Sequence, residues 1–146
     1  MRIEVSNNPW QQAAALSIRL KVFVQERGLN KQDEFDGGDT EQTVYAVAWQ
    51  DERTPVATVR FQQVDEQTMR PGRVATLPEY RGQGTAQRAL LATEKYGQSF
   101  GMIHSVIHSE LTAQGFYERC GYQVSSTPFI EDGVECIELT KKIDKV

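Results

Sequence analysis

Arg73-Val74-Ala75-Thr76-Leu77-Pro78-Glu79-Tyr80-Arg81-Gly82-Gln83-Gly84-Thr85-Ala86 is the stretch on which the fold turns. Met69 to Leu77 is predicted as a strand that Pro78 ends. Thr85 to Phe100 predicts a helix, with Ala86, Ala89, Leu90, Tyr96 and Phe100 at helical spacing and Gly101 where a terminating glycine belongs. Between them, Gly82 and Gly84 allow sharp backbone angles and close approach. The first amides of a helix lack internal partners, and its dipole adds partial positive charge there. Strand, glycine loop and helix start together predict a pyrophosphate cradle, with the charge of Arg81 at its rim.

The phosphate ligand is narrowed by what the loop lacks. A Walker loop needs GxxxxGK followed by Ser or Thr, and the dinucleotide fingerprint needs GxGxxG, whereas Gly82-Gln83-Gly84-Thr85-Ala86-Gln87 is neither. The simpler alternative is a strand–turn–helix connection that holds two glycines and no ligand.

Outward from this loop the chain reads as a mixed α/β sheet with helices on its faces, in one domain over residues 1–146. A helix is predicted from Pro9 to Val24, capped by Asn8, with Trp10, Ala14, Ala15, Ile18 and Val22 on one face. Gly28 to Thr43 is a long acidic loop with room for one helical turn. Strands are predicted over Val44–Gln50, Val56–Val64, Ile103–His108, Tyr122–Ser125 and Cys136–Ile143, with a short helix over Leu111–Cys120 and a loop over Thr127–Gly133.

Composition bounds the function. The chain has 39% apolar and 25% charged residues and a net charge of −4, which argues against nucleic acid as a partner. No apolar run approaches the ~20 residues of a membrane span, and Met1-Arg2-Ile3-Glu4 lacks the apolar core of a signal peptide. Cys120 and Cys136 form no CxxC, which argues against zinc and predicts two partly buried thiols in a reducing cytoplasm.

Arg81-Gly82-Gln83-Gly84-Thr85-Ala86 resembles the signature of the GNAT acetyltransferase superfamily: glutamine or arginine, two residues, glycine, one residue, then glycine or alanine. Ala113-Gln114-Gly115-Phe116-Tyr117-Glu118-Arg119-Cys120-Gly121-Tyr122 resembles the family's second motif, a short helix. Arg19, Val22, Phe23 and Glu26 resemble the opening of its ElaA-like subgroup, and Glu34-Phe35-Asp36-Gly37-Gly38-Asp39 resembles that subgroup's acidic loop. His108-Ser109-Glu110 and Phe129-Ile130-Glu131-Asp132-Gly133-Val134 also fall on its motifs. The resemblance implies a mixed, mostly antiparallel sheet with helices on both faces, and acetyl-CoA as cosubstrate. It places Val74, Ala75 and Thr76 along the thioester arm, and Arg81, Gly82, Gln83, Gly84, Thr85 and Ala86 around the phosphates. Thr76 stands where the family usually has an aliphatic residue, and Val44-Tyr45 and Glu135-Cys136 stand where the subgroup often has a histidine.

Acyl transfer to an amine requires a base, because a lysine-like amine has a reference pKa near ~10.4 and arrives protonated. Glu26 and Glu110 are the carboxylate candidates, with His108 second. Tyr117 is the candidate acid: its phenol has a reference pKa of ~10 and the resemblance places it beside the coenzyme sulfur. Glu34, Asp36 and Asp39 read first as solvated loop charges and second as a substrate mouth for cationic amines. The expected function is acetyl-CoA-dependent N-acetyl transfer to a primary amine of a small molecule, peptide or protein, in a cytoplasmic protein that makes no membrane contact and has the option of a homodimer. The alternative is a non-catalytic acyl-CoA-binding sensor or interaction module.

Overall fold

The computed structural model describes residues 1–143. The chain packs as two compact units, Met1–Gln62 with Pro71–Tyr96, and Gln63–Arg70 with the chain from Gly97 onward.

The first unit is built on a four-stranded sheet in the order β1 (Arg2–Ser6), β2 (Tyr45–Asp51), β3 (Thr54–Arg60), β5 (Gly72–Thr76), with every neighbouring pair antiparallel. Ile3 and Val5 alternate with polar residues along β1, a short period-two pattern that is not among the predicted strands. The central strand β2 is buried on both faces from Tyr45 to Trp49. On one face Tyr45, Val47 and Trp49 meet Ala14, Ala15, Ile18 and Val22 of α1 (Pro9–Arg19) and its continuation, joined by Ala75 and Leu77. Gln11, fully buried on α1, donates to the carbonyls of Glu4 (2.8 Å) and Tyr45 (3.1 Å) and accepts from Trp49 Nε1 (2.7 Å).

Asn8 has the extended backbone of a helix cap, but its side chain donates to Glu4 and makes no capping bond. Beyond Arg19 the helix widens into a π-helical stretch, Leu20–Glu26, ended by Gly28 at φ +71°. One helical turn, α2 (Lys31–Glu34), forms in the acidic segment, capped by the side chain of Asn30.

The run predicted as one strand, Met69 to Leu77, is two: β4 (Thr68–Met69) in the second unit and β5 in the first. Pro71 lies between them; it lacks an N–H and biases Arg70, so the ladder cannot run through. After β5 a 3₁₀ turn, Pro78–Tyr80, leads into the loop that opens α3 (Thr85–Gln98).

In the second unit β4, β6 (His104–Glu110), β9 (Val134–Lys142) and β7 (Gln123–Val124) form a sheet in that order, with β8 (Phe129–Glu131) also paired to β9. Only β4 and β6 are parallel among the described strand pairs. β6 buries Ser105, Ile107 and Ser109 and turns His108 and Glu110 to the opposite face. The short helix α4 (Gln114–Arg119) follows a 3₁₀ turn. β8 lies where a loop was expected. Asp132 (φ +51°) and Gly133 (φ +76°) turn it back onto β9, and an Asp-Gly pair with both residues left-handed is a favoured two-residue hairpin turn.

Candidate active site

In the first unit, β5 forms the edge of its sheet and delivers Val74, Ala75 and Thr76 to the start of the glycine loop. Gly82 and Gly84 sit at φ +74° and +77°, a region that side-chain-bearing residues rarely adopt. A Cβ at either would meet no atom within 4 Å, so the space in front of the loop is open. The amide of Arg88 donates to Gly84 O at 3.1 Å, which makes Gly84 the residue from which the α3 ladder starts. The amides from Gly84 to Gln87 then precede any possible i to i−4 partner in the helix. Open space, left-handed glycines and outward amides fit a bound pyrophosphate.

Arg81 is more engaged than a free charge at the rim. Its Nη1 and Nη2 donate to the two carboxylate oxygens of Glu26 at 2.8 and 2.7 Å, and its Nε donates to Thr76 O at 2.9 Å. The pair ties the end of the π-helical stretch to β5. The hydrogen bond from Arg81 holds the Glu26 carboxyl below its usual range, and the same contact raises the Arg81 guanidinium.

The acidic segment departs from the solvated loop that was expected. Arg19, fully buried, donates through Nε to Glu34 Oε2 (2.8 Å) and through Nη1 and Nη2 to Asp39 (2.6 and 2.9 Å). Arg60 contacts Asp36 at 3.0 Å and Asp39 at 3.3 Å, and Arg73 contacts Asp36 at 3.0 Å. Tyr45 donates its hydroxyl to Asp39 at 2.6 Å, and the Phe35 ring lies against Arg19. Three arginines balance three carboxylates. Burial pushes the Asp39 carboxyl up, but the hydrogen bonds from Arg19 and Tyr45 and the nearby charges outweigh it, leaving a pKa of about 2. Burial and the bond to Asp39 push the Tyr45 phenol up. With Glu34 only 6% exposed, this segment is a folded ion network rather than an open acidic mouth. The arginines were missed because they lie on three separate elements; the available signal was Arg19 beside Ile18 on the apolar face of α1 and Arg60 at the end of an apolar strand.

In the second unit Tyr117 on α4 is 8% exposed, edge-on to Phe116 (5.0 Å) and Tyr122 (6.1 Å). Burial, with smaller effects from Cys120 and Glu110, raises its phenol, so it stays protonated through neutral pH. Glu110 ends β6 opposite Cys136 on β9. His108, two residues back on the same face, sits 3.4 Å from both Glu131 and Glu138 and edge-on to Phe129. Cys120 and Cys136 are buried thiols that form no disulfide, and burial raises that of Cys136. Among the described residues no group of three His, Cys, Asp or Glu side chains could hold a metal, and no helix is long and apolar enough to cross a membrane.

The sequence profile of the acetyltransferase (GNAT) family matches residues 10–122. An uncharacterized acetyltransferase of Streptococcus pyogenes, from the arcA 3′ region, is 41% identical over 113 residues, covering 77% of each chain. The crystal structure of a candidate N-acetyltransferase of Lactobacillus plantarum is 42% identical, superposes with a TM-score of 0.94 and covers 97% of both chains. Escherichia coli ElaA shares the fold, with a TM-score of 0.82 at 21% identity over 97% of this chain and 100% of its own. The chain therefore belongs to the GNAT acetyltransferase family, as an N-acetyltransferase that draws its acetyl group from acetyl-CoA.

Proposed function

We propose that the protein transfers the acetyl group to a primary amine of a small molecule, peptide or protein by direct attack of the amine on the thioester. Acetyl-CoA supplies the activated acyl group and a thiol that leaves readily. In this reading the amides of Gly82 to Ala86 hold the pyrophosphate, with Arg81 bracing the loop, and the β5 edge from Val74 to Thr76 takes the thioester arm. The observation that carries it is the loop itself: two left-handed glycines at the head of α3 with open space where a side chain would stand.

Tyr117 supplies the proton to the departing sulfur, consistent with a buried phenol that is raised and therefore neutral. Of the two carboxylates considered as base, we favour Glu110 for taking the amine proton, because both Glu26 oxygens are already occupied by Arg81. The net charge of −4 suits an amine acceptor better than a nucleic acid.

Two-substrate kinetics with a panel of primary amines, followed by free-thiol release and product mass, tests this. Direct attack gives intersecting double-reciprocal lines and a product heavier by one acetyl group. Parallel lines, from an acyl-enzyme formed first, would overturn direct attack, and acetylation of no amine in the panel would overturn the acceptor class.

A further inference from the structure

Arg73 is the backbone anomaly of the first unit. It sits at φ +50°, one of two side-chain-bearing residues with positive φ among those described, and it does so inside a strand. Thr58 on β3 pairs with Ala75, but Arg60 pairs with Gly72, so Arg73 and Val74 together face the single residue Val59. This is a β-bulge whose first residue is left-handed, a position that glycine normally fills. Gly72 lies immediately before it, yet the strained residue is an arginine.

The side chain explains the choice. Arg73 Nη2 donates to Asp36 Oδ2 at 3.0 Å and Nε to the carbonyl of Glu34 at 3.3 Å. Both partners are fixed in turn. Arg19 Nη2 donates to the same Glu34 carbonyl at 2.8 Å and its Nε to the Glu34 carboxylate at 2.8 Å. Asp36 Oδ1 accepts from Arg60 Nη1 at 3.0 Å and from the Gly38 amide at 2.8 Å. A chain of contacts thus runs from the buried end of α1 through the acidic segment to the bulge. The bulge sets the facing of Val74, Ala75 and Thr76, because one extra residue moves each later side chain to the other face of the strand.

We propose that Arg73 is a positioning residue: the acidic segment, through Glu34 and Asp36, grips its side chain and so holds the bulge that aims Val74, Ala75 and Thr76. The inference rests on the reading that these three residues lie along the thioester arm. Its consequence is that the ion network serves the rate of acetyl transfer rather than the recognition of a cationic acceptor. Strain held in place by surrounding contacts is a recurrent feature of sites that need one geometry.

Two variants separate this role from a merely structural one. Arg73→Ala removes the grip and keeps a side chain at the left-handed position, where only glycine would hold the bulge unaided; Asp36→Asn leaves Arg73 in place and removes its charged partner. For each, the affinity for desacetyl coenzyme A and the thermal midpoint are measured beside kcat and both KM values. A strand displaced by about 1 Å costs up to about 10²-fold in rate. The expected result is a kcat at least tenfold lower in Arg73→Ala and lower to a smaller degree in Asp36→Asn, with coenzyme affinity within about twofold of the parent. A kcat within twofold of the parent in both folded variants would overturn the proposal, as would a fall in coenzyme affinity that matches the fall in kcat/KM. If Arg73→Ala does not fold, Asp36→Asn alone decides, by the same two results. A parent protein that binds no coenzyme would instead refute the underlying reading of the loop and β5.

Discussion

Gly84 offers the sharpest perturbation of the coenzyme loop. It sits at φ +77°, and a Cβ there meets nothing within 4 Å. An added Cβ therefore meets no protein atom, and the effect on the unliganded protein comes from the backbone. Holding an L-residue in the left-handed region costs roughly 1–2 kcal/mol, with β-branched residues at the upper end. Gly84→Val has two outlets for that strain. If the loop keeps its shape, the full cost falls on stability, about 2 kcal/mol and a thermal midpoint lower by roughly 4–8 °C for a domain of this size. If the loop relaxes, the amides at the head of α3 turn away from the ligand and the cost moves to binding. Even the unrelaxed loop places an isopropyl group in the open space that the pyrophosphate needs. The expected outcome is a folded protein whose acetyl-CoA affinity, by calorimetric titration, is at least about tenfold weaker, since 1.4 kcal/mol corresponds to a factor of ten. Gly84→Ala should fall between parent and Gly84→Val. A folded Gly84→Val that binds acetyl-CoA as tightly as the parent would refute the reasoning.

Three further outcomes are expected. The Asp39 carboxyl drops from its ordinary 3.8 to about 2 on folding, so it contributes about 2 kcal/mol that is fully present above pH 4 and lost as pH falls from about 4 toward 2. Acid titration followed by circular dichroism should show that loss, and Asp39→Asn should be less stable at neutral pH and lose less stability over the same window, where the lowered Asp36 carboxyl still titrates. Glu26→Gln should raise the KM for acetyl-CoA a few-fold, more at low salt than at high, and leave the acid limb of the pH–rate profile in place; loss of that limb would return Glu26 to the role of base. Gln11→Leu removes three hydrogen bonds, two of them buried, and strands the Trp49 N–H, so urea unfolding should show a loss of roughly 2–4 kcal/mol with coenzyme affinity unchanged.

The glycine loop and α3 were legible because their signals are local: a proline-ended strand, two glycines and a helical stripe. The β8–β9 hairpin was equally local, carried by Asp132-Gly133, but its short strand lay within a polar run. The break at Pro71 was written in the sequence too, in a proline that cannot continue a ladder, yet the strand was read through it from Met69. The ion network was not readable in this way. Arg19, Arg60 and Arg73 are far apart in the chain; Arg19 and Arg60 stand next to apolar residues, but nothing in the sequence pairs them with the acidic segment until β3 and β5 pair and it folds onto them. Charges read as solvated are a sound first expectation; what overrides it here is a tertiary arrangement that gives every carboxylate an arginine. The Glu26–Arg81 pair is of the same kind, joining residues on the π-helical stretch and the coenzyme loop.

The most direct test of the account is the single-turnover rate of amine-dependent thiol release from acetyl-CoA in Tyr117→Phe beside the parent. The substitution keeps the ring, its burial and its edge-on contacts with Phe116 and Tyr122, and deletes only the hydroxyl that would donate the proton. With the loop from Arg81 to Ala86 untouched, acetyl-CoA affinity should be unchanged while the rate falls by about 10²–10⁴-fold. A Tyr117→Phe protein that releases thiol at the parent's rate would contradict the proposed proton transfer and reduce Tyr117 to a packing residue of α4.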